Sequence, residues 1–272
     1  MNESSMQLQE VNRQAPRWMA MASLGAAVVI LLCAASASAQ PTLGTAASYG
    51  VLAGSAVSNT GPTTINGNVG VSPGSAVTGF PPGVVAGGTI HSNDASAIQA
   101  QSDLTTAYNT VAGTPCTSDL TGLNLGGMVL TPGVYCFTSA AQLTGTLTLN
   151  TLGNPGAVFL FKIGSTLTTA SASNVLLIGG GTTCNIFWQV GSSATLGTTT
   201  KFAGNILALT SITLTTGATT SGRLLARNGA VTTDSNTVTT CGAMPDVPAL
   251  STTILLLLGG ALAAVALLVL RR

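Results

Sequence analysis

The stretch that decides the fold is Gly204-Asn-Ile-Leu-Ala-Leu-Thr-Ser-Ile-Thr-Leu-Thr-Thr-Gly-Ala-Thr-Thr-Ser221, because Gly222-Arg-Leu-Leu-Ala226 restarts it about 18 residues on. Within one period an apolar strand (205–209) is followed by a Thr-rich strand and a Gly or Asn corner. A period near 18 predicts one turn of a three-faced β-solenoid, whose coils bury their apolar sides only by stacking. An earlier copy runs from Phe187 to Gly204. Phe159 to Val175 fits with a short indel before its threonine run, Thr166-Leu167-Thr168-Thr169. Far upstream, Val51-Leu52-Ala53 matches Ile206-Leu207-Ala208, and Thr60-Gly61-Pro62-Thr63-Thr64 matches Thr216-Gly217-Ala218-Thr219-Thr220.

Between the copies lies one stretch with helical spacing, Asp94 to about Ala112, with Ala97, Ile98, Gln101, Leu104, Ala107, Tyr108 and Val111 on one face. Asn93 or Asp94 caps its start, and Gly113 and Pro115 end it. The helix therefore interrupts a solenoid and does not separate two domains. The runs VFLF (158–161), IFWQV (186–190) and NILAL (205–209) lack polar alternation, which predicts burial on both sides. The helix is the simplest cover for their outer side. Solenoid ends need capping, a task for Pro81-Pro82 and their Gly-rich flanks.

Composition narrows the chemistry. The 272 residues hold eight Lys plus Arg, seven Asp plus Glu, one His and 33 Gly. Such a chain offers shape and hydroxyl groups. No basic stripe exists for nucleic acid. No catalytic residue, metal ligand set or cofactor is expected. Gly70-Val71-Ser72-Pro73-Gly74 matches a nucleophile elbow, but Pro73 occupies the turn and no amphipathic helix follows. His91 with Asp94 is a poor ligand set and reads as a polar pair at the helix entrance.

Residues 1–39 read as a signal peptide, with Arg13 and Arg17 before an apolar run and Ala37-Ser38-Ala39 before Gln40. Residues 40–244 form the solenoid domain, and 245–272 a tail with an apolar span, Ile254 to Leu270, ahead of Arg271-Arg272. That span is expected to hold the membrane before processing, with export to the bacterial envelope, outer surface or exterior. Four cysteines then remain, Cys116, Cys136, Cys184 and Cys241, without CxxC spacing, which favours disulfides in an exported domain. Of three connectivities, Cys116 with Cys136 and Cys184 with Cys241 is the pairing expected here.

Two threonine ladders compete for the surface. Thr-Leu-Thr (Thr146 and Thr148, Thr166 and Thr168, Thr213 and Thr215) follows period two, with Leu inward. Thr-Gly-x-Thr (Thr60 and Thr63, Thr216 and Thr219) spaces its members i and i+3, which face opposite sides unless the Gly bends the chain. Thr198-Thr199-Thr200-Lys201 and Thr169-Ala170-Ser171-Ala172 depart from that motif.

The segments 43–83, 88–109, 185–198 and 204–232 closely resemble the microbial ice-binding-protein-like family, and the resemblance runs from Leu43 to Thr240. It implies a discontinuous right-handed β-solenoid of triangular section, a long helix along one face, and ice contact on another face through a motif similar to Thr-Gly-x-Thr. The candidate ice-contacting residues are then Thr60, Thr63, Thr169, Ser171, Thr198, Thr200, Thr213, Thr215, Thr216 and Thr219, with an ice or water surface as partner. A structural or adhesive surface domain, touching polysaccharide or protein through the same solenoid, is the alternative. Val247-Pro248-Ala249-Leu250-Ser251 with the span and Arg pair behind it resembles PEP-CTERM and IPTL-CTERM sorting tails, implying an envelope sorting enzyme as a further partner.

Overall fold

Among the described residues, short apolar strands, each closed by a corner, wind into a mostly β structure with three parallel sheets and one α-helix. The structure, a computed structural model, describes residues 40–241. The expected leader and membrane-spanning tail lie outside them, and among the described residues no helix is long and apolar enough to cross a membrane.

The first sheet has nine strands, in the order Ile90–Ser92, Asn68–Val71, Tyr49–Ala53, Leu224–Ala226, Asn205–Ala208, Ile186–Val190, Phe159–Ile163, Gly133–Phe137 and Ser118–Asp119. A seven-stranded second sheet and an eight-stranded third sheet complete the three faces. Spatial order thus departs from chain order. The N-terminal strand Tyr49–Ala53 pairs with Leu224–Ala226, so the first coils stack on the last. From there the early coils run outward to one end. The helix α1, Ala95–Gly113, returns the chain to the opposite end, where winding resumes.

Helix α1 lies within one residue of the expected 94–112. Asp94 is its N-cap, its carboxylate accepting from the Ala97 N–H at 2.9 Å. Ala97, Ala100, Leu104, Ala107, Tyr108 and Val111 are buried. Ile98, expected on that face, is 53% exposed: Ala100 takes the inward place, leaving Ile98 turned to solvent.

The runs without alternation are buried on both sides, for the reason expected. Leu160, Phe187, Leu207 and Leu225 point outward from the first sheet into a cluster with Leu104, Ala107 and Val111 of α1. Phe159, Phe161, Ile186, Trp188 and Ile206 point the other way into the solenoid interior. There Tyr135, Phe161 and Trp188 occupy one register position in successive coils, and Phe161 stacks on Trp188 with centroids 3.8 Å apart. Polar links fix the helix in place. Gln189 Nε2 donates to the Tyr108 hydroxyl at 2.6 Å, Lys162 Nζ to Thr114 O at 2.6 Å, and Gln101 Nε2 to Ala226 O at 3.1 Å.

Corners bring backbone close to backbone. A Cβ at Gly191 would stand 2.5 Å from the carbonyl oxygen of Gly164 in the preceding coil, so glycine is required there. At one end, Phe80 beside Pro81-Pro82 packs partly buried against the core, next to the outermost strands Ala76–Thr78 and Val84–Ala86. Cys116 bonds Cys136 and Cys184 bonds Cys241, with Cα atoms 5.9 and 5.3 Å apart.

Candidate functional site: a hydroxyl lattice on the second sheet

In the second sheet each strand carries an inward residue, and the residue that follows it points out. Inward lie Ala141, Leu167, Ala194, Ile212, Val231, Val57 and Val77, one per coil. The next residue of each strand forms an outward column in register: Gln142, Thr168, Thr195, Thr213, Thr232, Ser58 and Thr78. None of the seven is buried. Successive members of such a column are set about 4.8 Å apart by strand spacing.

A second column stands two residues earlier along each strand. It reads Thr166, Ser193, Ser211 and Ala230 across four coils, then Ala56 and Ala76. On the other side follow Thr144, Ala170, Gly197 and Thr215, then Asp234 paired with Thr60. Columns are separated by about 6.7 Å along the strand. The result is an array of small, hydroxyl and amide side chains whose one charged member, among those named, is Asp234 at the margin. Thr216 Oγ1 donates to that carboxylate at 2.5 Å.

Beneath the array the sheet is braced. Thr233 Oγ1 donates to Asn59 Oδ1 at 3.0 Å, while Asn59 Nδ2 donates to the carbonyls of Gly61 and Gly79, both at 2.9 Å. Both residues are buried, so three coils are tied together from inside.

The sequence candidates divide among several places. Thr213 and Thr215 stand on the array, and Thr60 at its rim. Ser171, Thr198 and Thr216 are exposed at the corner between the second and third sheets, and Thr198 and Thr215 bring their hydroxyls within 3.3 Å. Thr219 belongs to the third sheet, in register with Lys201 and Thr237. Thr63, Thr169 and Thr200 are buried and do not reach the surface. Thr169 follows the outward Thr168 in a regular strand, so period two turns it inward, where it bonds Thr200 at 2.9 Å. Thr200 is turned in by the corner before it, where Thr199 adopts φ 57°. Thr63 accepts the Asn236 N–H at 3.0 Å. The Thr-Leu-Thr ladder is split, since Thr146 and Thr148 lie on the third sheet while Thr166, Thr168, Thr213 and Thr215 lie on the second.

Sequence reasoning missed Thr195, Thr232, Ser58, Thr78 and Gln142. Their signal was an apolar residue before each of them, as in Ala194-Thr195-Leu196 and Val231-Thr232, read coil by coil and not as a threonine motif.

Elsewhere the chemistry is sparse. His91 Nδ1 lies 2.7 Å from Asp94 Oδ2 at the start of α1, and among the described residues no three His, Cys, Asp or Glu converge.

Residues 51–239 match the family described as Ice-binding-like. An ice-binding protein of Nostoc sp. (strain HG1) is 60% identical over 205 residues, covering 75% of this chain and 76% of that protein. The crystal structure of an ice binding protein from an Antarctic biological consortium superposes with TM-score 0.72 at 51% identity, over 74% of this chain and 91% of that one. The ice-binding protein of the Antarctic ascomycete Antarctomyces psychrotrophicus does so with TM-score 0.72 at 43% identity, over 75% of this chain and 100% of that one.

Proposed function

The chain belongs to the ice-binding-like family, and from that premise we propose that it binds ice through the outer surface of its second sheet. The observation that carries this reading is the seven-member outward column, Gln142 to Thr78, in continuous register and free of charge. Threonine suits such a lattice. Its β-branch restricts χ1, its methyl group excludes water and its hydroxyl holds one, so neighbouring waters are ordered into a layer that merges with the crystal. The apolar underlay and the Asn59–Thr233 brace keep the array rigid, which avoids an ordering cost on adsorption.

No acid–base pair, metal or cofactor enters this reading, and the protein acts as a binder and not as an enzyme. Export agrees with the two disulfides, which belong to an oxidising compartment. The leader before Gln40 and the sorting-type tail from 245 would then deliver the domain to the envelope or exterior. The adhesive alternative would use the third sheet, where Val129 and Leu176, both exposed, flank Thr148 in register.

The test is thermal hysteresis and inhibition of ice recrystallisation by residues 40–241, the ascomycete protein being a relative whose whole solved chain is covered by 75% of this one. Thr213→Tyr, at the centre of the array, is expected to remove most activity, and Thr219→Tyr on the third sheet to retain it. A wild-type domain that neither shapes ice crystals nor slows recrystallisation at micromolar concentration would overturn the reading.

A further inference from the structure

Arg223 is 8% exposed, yet every acceptor it meets is formally neutral. Nε donates to Ala47 O at 2.8 Å, Nη1 to Asn205 Oδ1 at 3.0 Å and to Cys241 Sγ at 2.7 Å, and Nη2 to Cys241 O at 3.3 Å. Among the described residues the one ion-pair contact is His91 with Asp94, so no carboxylate compensates this guanidinium. A buried charge without a counter-charge is costly, and here burial lowers the pKa of the group. Arg223 also borders an open cavity of about 410 Å³, walled by Pro41, Leu43 and Phe187 and by the Cys184–Cys241 disulfide, with Thr42 exposed at the mouth.

We propose that this cavity is a binding site for a small organic carboxylate. Its head group meets Arg223 Nη2, which keeps one N–H beyond its long bond to Cys241 O, and its aliphatic body lies against Leu43 and Phe187. The remaining N–H gives a carboxylate one charge-assisted hydrogen bond, beside a cation that has no other counter-charge. A single cation among apolar walls disfavours a multiply charged phosphate. Because the walls come from residues 40–43 and from Cys241, occupancy ties the two ends of the domain together. The site shares no residue with the hydroxyl array.

The probe is sodium butyrate, followed by thermal unfolding of residues 40–241 at ionic strength held constant with sodium chloride. Butyrate is expected to raise the midpoint saturably, by about 3–5 °C at roughly tenfold excess over its Kd. Arg223→Gln is expected to abolish the response. Thr42→Glu, which supplies a carboxylate at the cavity mouth, is expected to raise the midpoint without butyrate and remove the dependence on it, with thermal hysteresis unchanged. It decides the matter if Arg223→Gln does not fold. Three results would overturn the proposal: no saturable rise in the wild-type domain, an equal rise with chloride alone, or a butyrate response retained in either variant.

Discussion

Thr232 and Thr233 are consecutive, yet the first is exposed on the hydroxyl array and the second is wholly buried in its brace. Substituting an exposed threonine such as Thr232 and a buried one such as Thr63 separates surface chemistry from stability. Thr232→Tyr is expected to lower thermal hysteresis several-fold while leaving the unfolding free energy within about 0.5 kcal/mol of wild type, as for an exposed position. Thr63→Val is expected to do the reverse, costing about 1–3 kcal/mol in urea unfolding, because the Asn236 N–H loses its buried acceptor. Ice activity per folded molecule should not change. Thr220 offers a third case: among the described residues its hydroxyl is the buried side-chain polar group without a partner. Thr220→Val is expected to stabilise by about 1 kcal/mol. Which threonines face out was only partly legible in the sequence. Thr213 and Thr215 obey period two, whereas Thr198 and Thr200 straddle a corner in which Thr199 takes φ 57°, so side chains two residues apart lie on different sides. Nothing in the residue type Thr announces that a non-glycine residue will accept that conformation.

Among the elements, helix α1 was legible almost to the residue because a 3.6-residue spacing survives even in a helix rich in Ala and Thr, and because Asp94 is a strong cap. Its attachments were not legible, since they join residues far apart in the chain. Asp103 is one: its carboxylate accepts from the hydroxyl and the backbone N–H of Thr45, each at 2.7 Å, and from Gln99 Nε2. These bonds, the Thr45 hydroxyl first, hold its pKa below the ordinary aspartate value. The Ala97 N–H and then His91 do the same for Asp94. Both groups are more acidic folded than unfolded. They therefore add stability above the usual aspartate range near pH 3.9 and lose it as pH falls through their folded values. Thermal midpoints measured from about pH 5 down to pH 2 should fall, and Asp103→Asn should flatten part of that descent. An unchanged acid limb in the variant would mean that the Thr45 contact does not hold the helix to the N-terminal arm.

At the level of the whole molecule, three-sided winding followed from the 18-residue restart at Gly222, and the interrupting helix from its position between matched copies. The order of the coils in space did not, because parallel register across more than 170 residues leaves no local trace. Long-range closure also sets the value of the disulfides. Cys184–Cys241 spans 57 residues and Cys116–Cys136 spans 20. Removing them by Cys→Ser substitution in both partners is expected to cost about 4 and about 3 kcal/mol respectively in urea unfolding, the longer loop the more. The stacking of the first coils on the last carries a further consequence. Pro41 and Cys241 border one cavity, so the two ends of the domain meet, and a few linker residues suffice to join Cys241 to Gln40. Opening the chain instead between Thr114 and Pro115 would give a protein whose coils follow one another in sequence from Ser118 to Ser92, with the helix last. The bond between Asn236 and Thr63, now across 173 residues, would then span roughly thirty residues, linker included. Such a circular permutant is expected to keep its ice activity and to refold faster in stopped-flow experiments, since its contacts become local. The natural chain is, in this sense, an uninterrupted spiral cut in the middle and resealed by its helix.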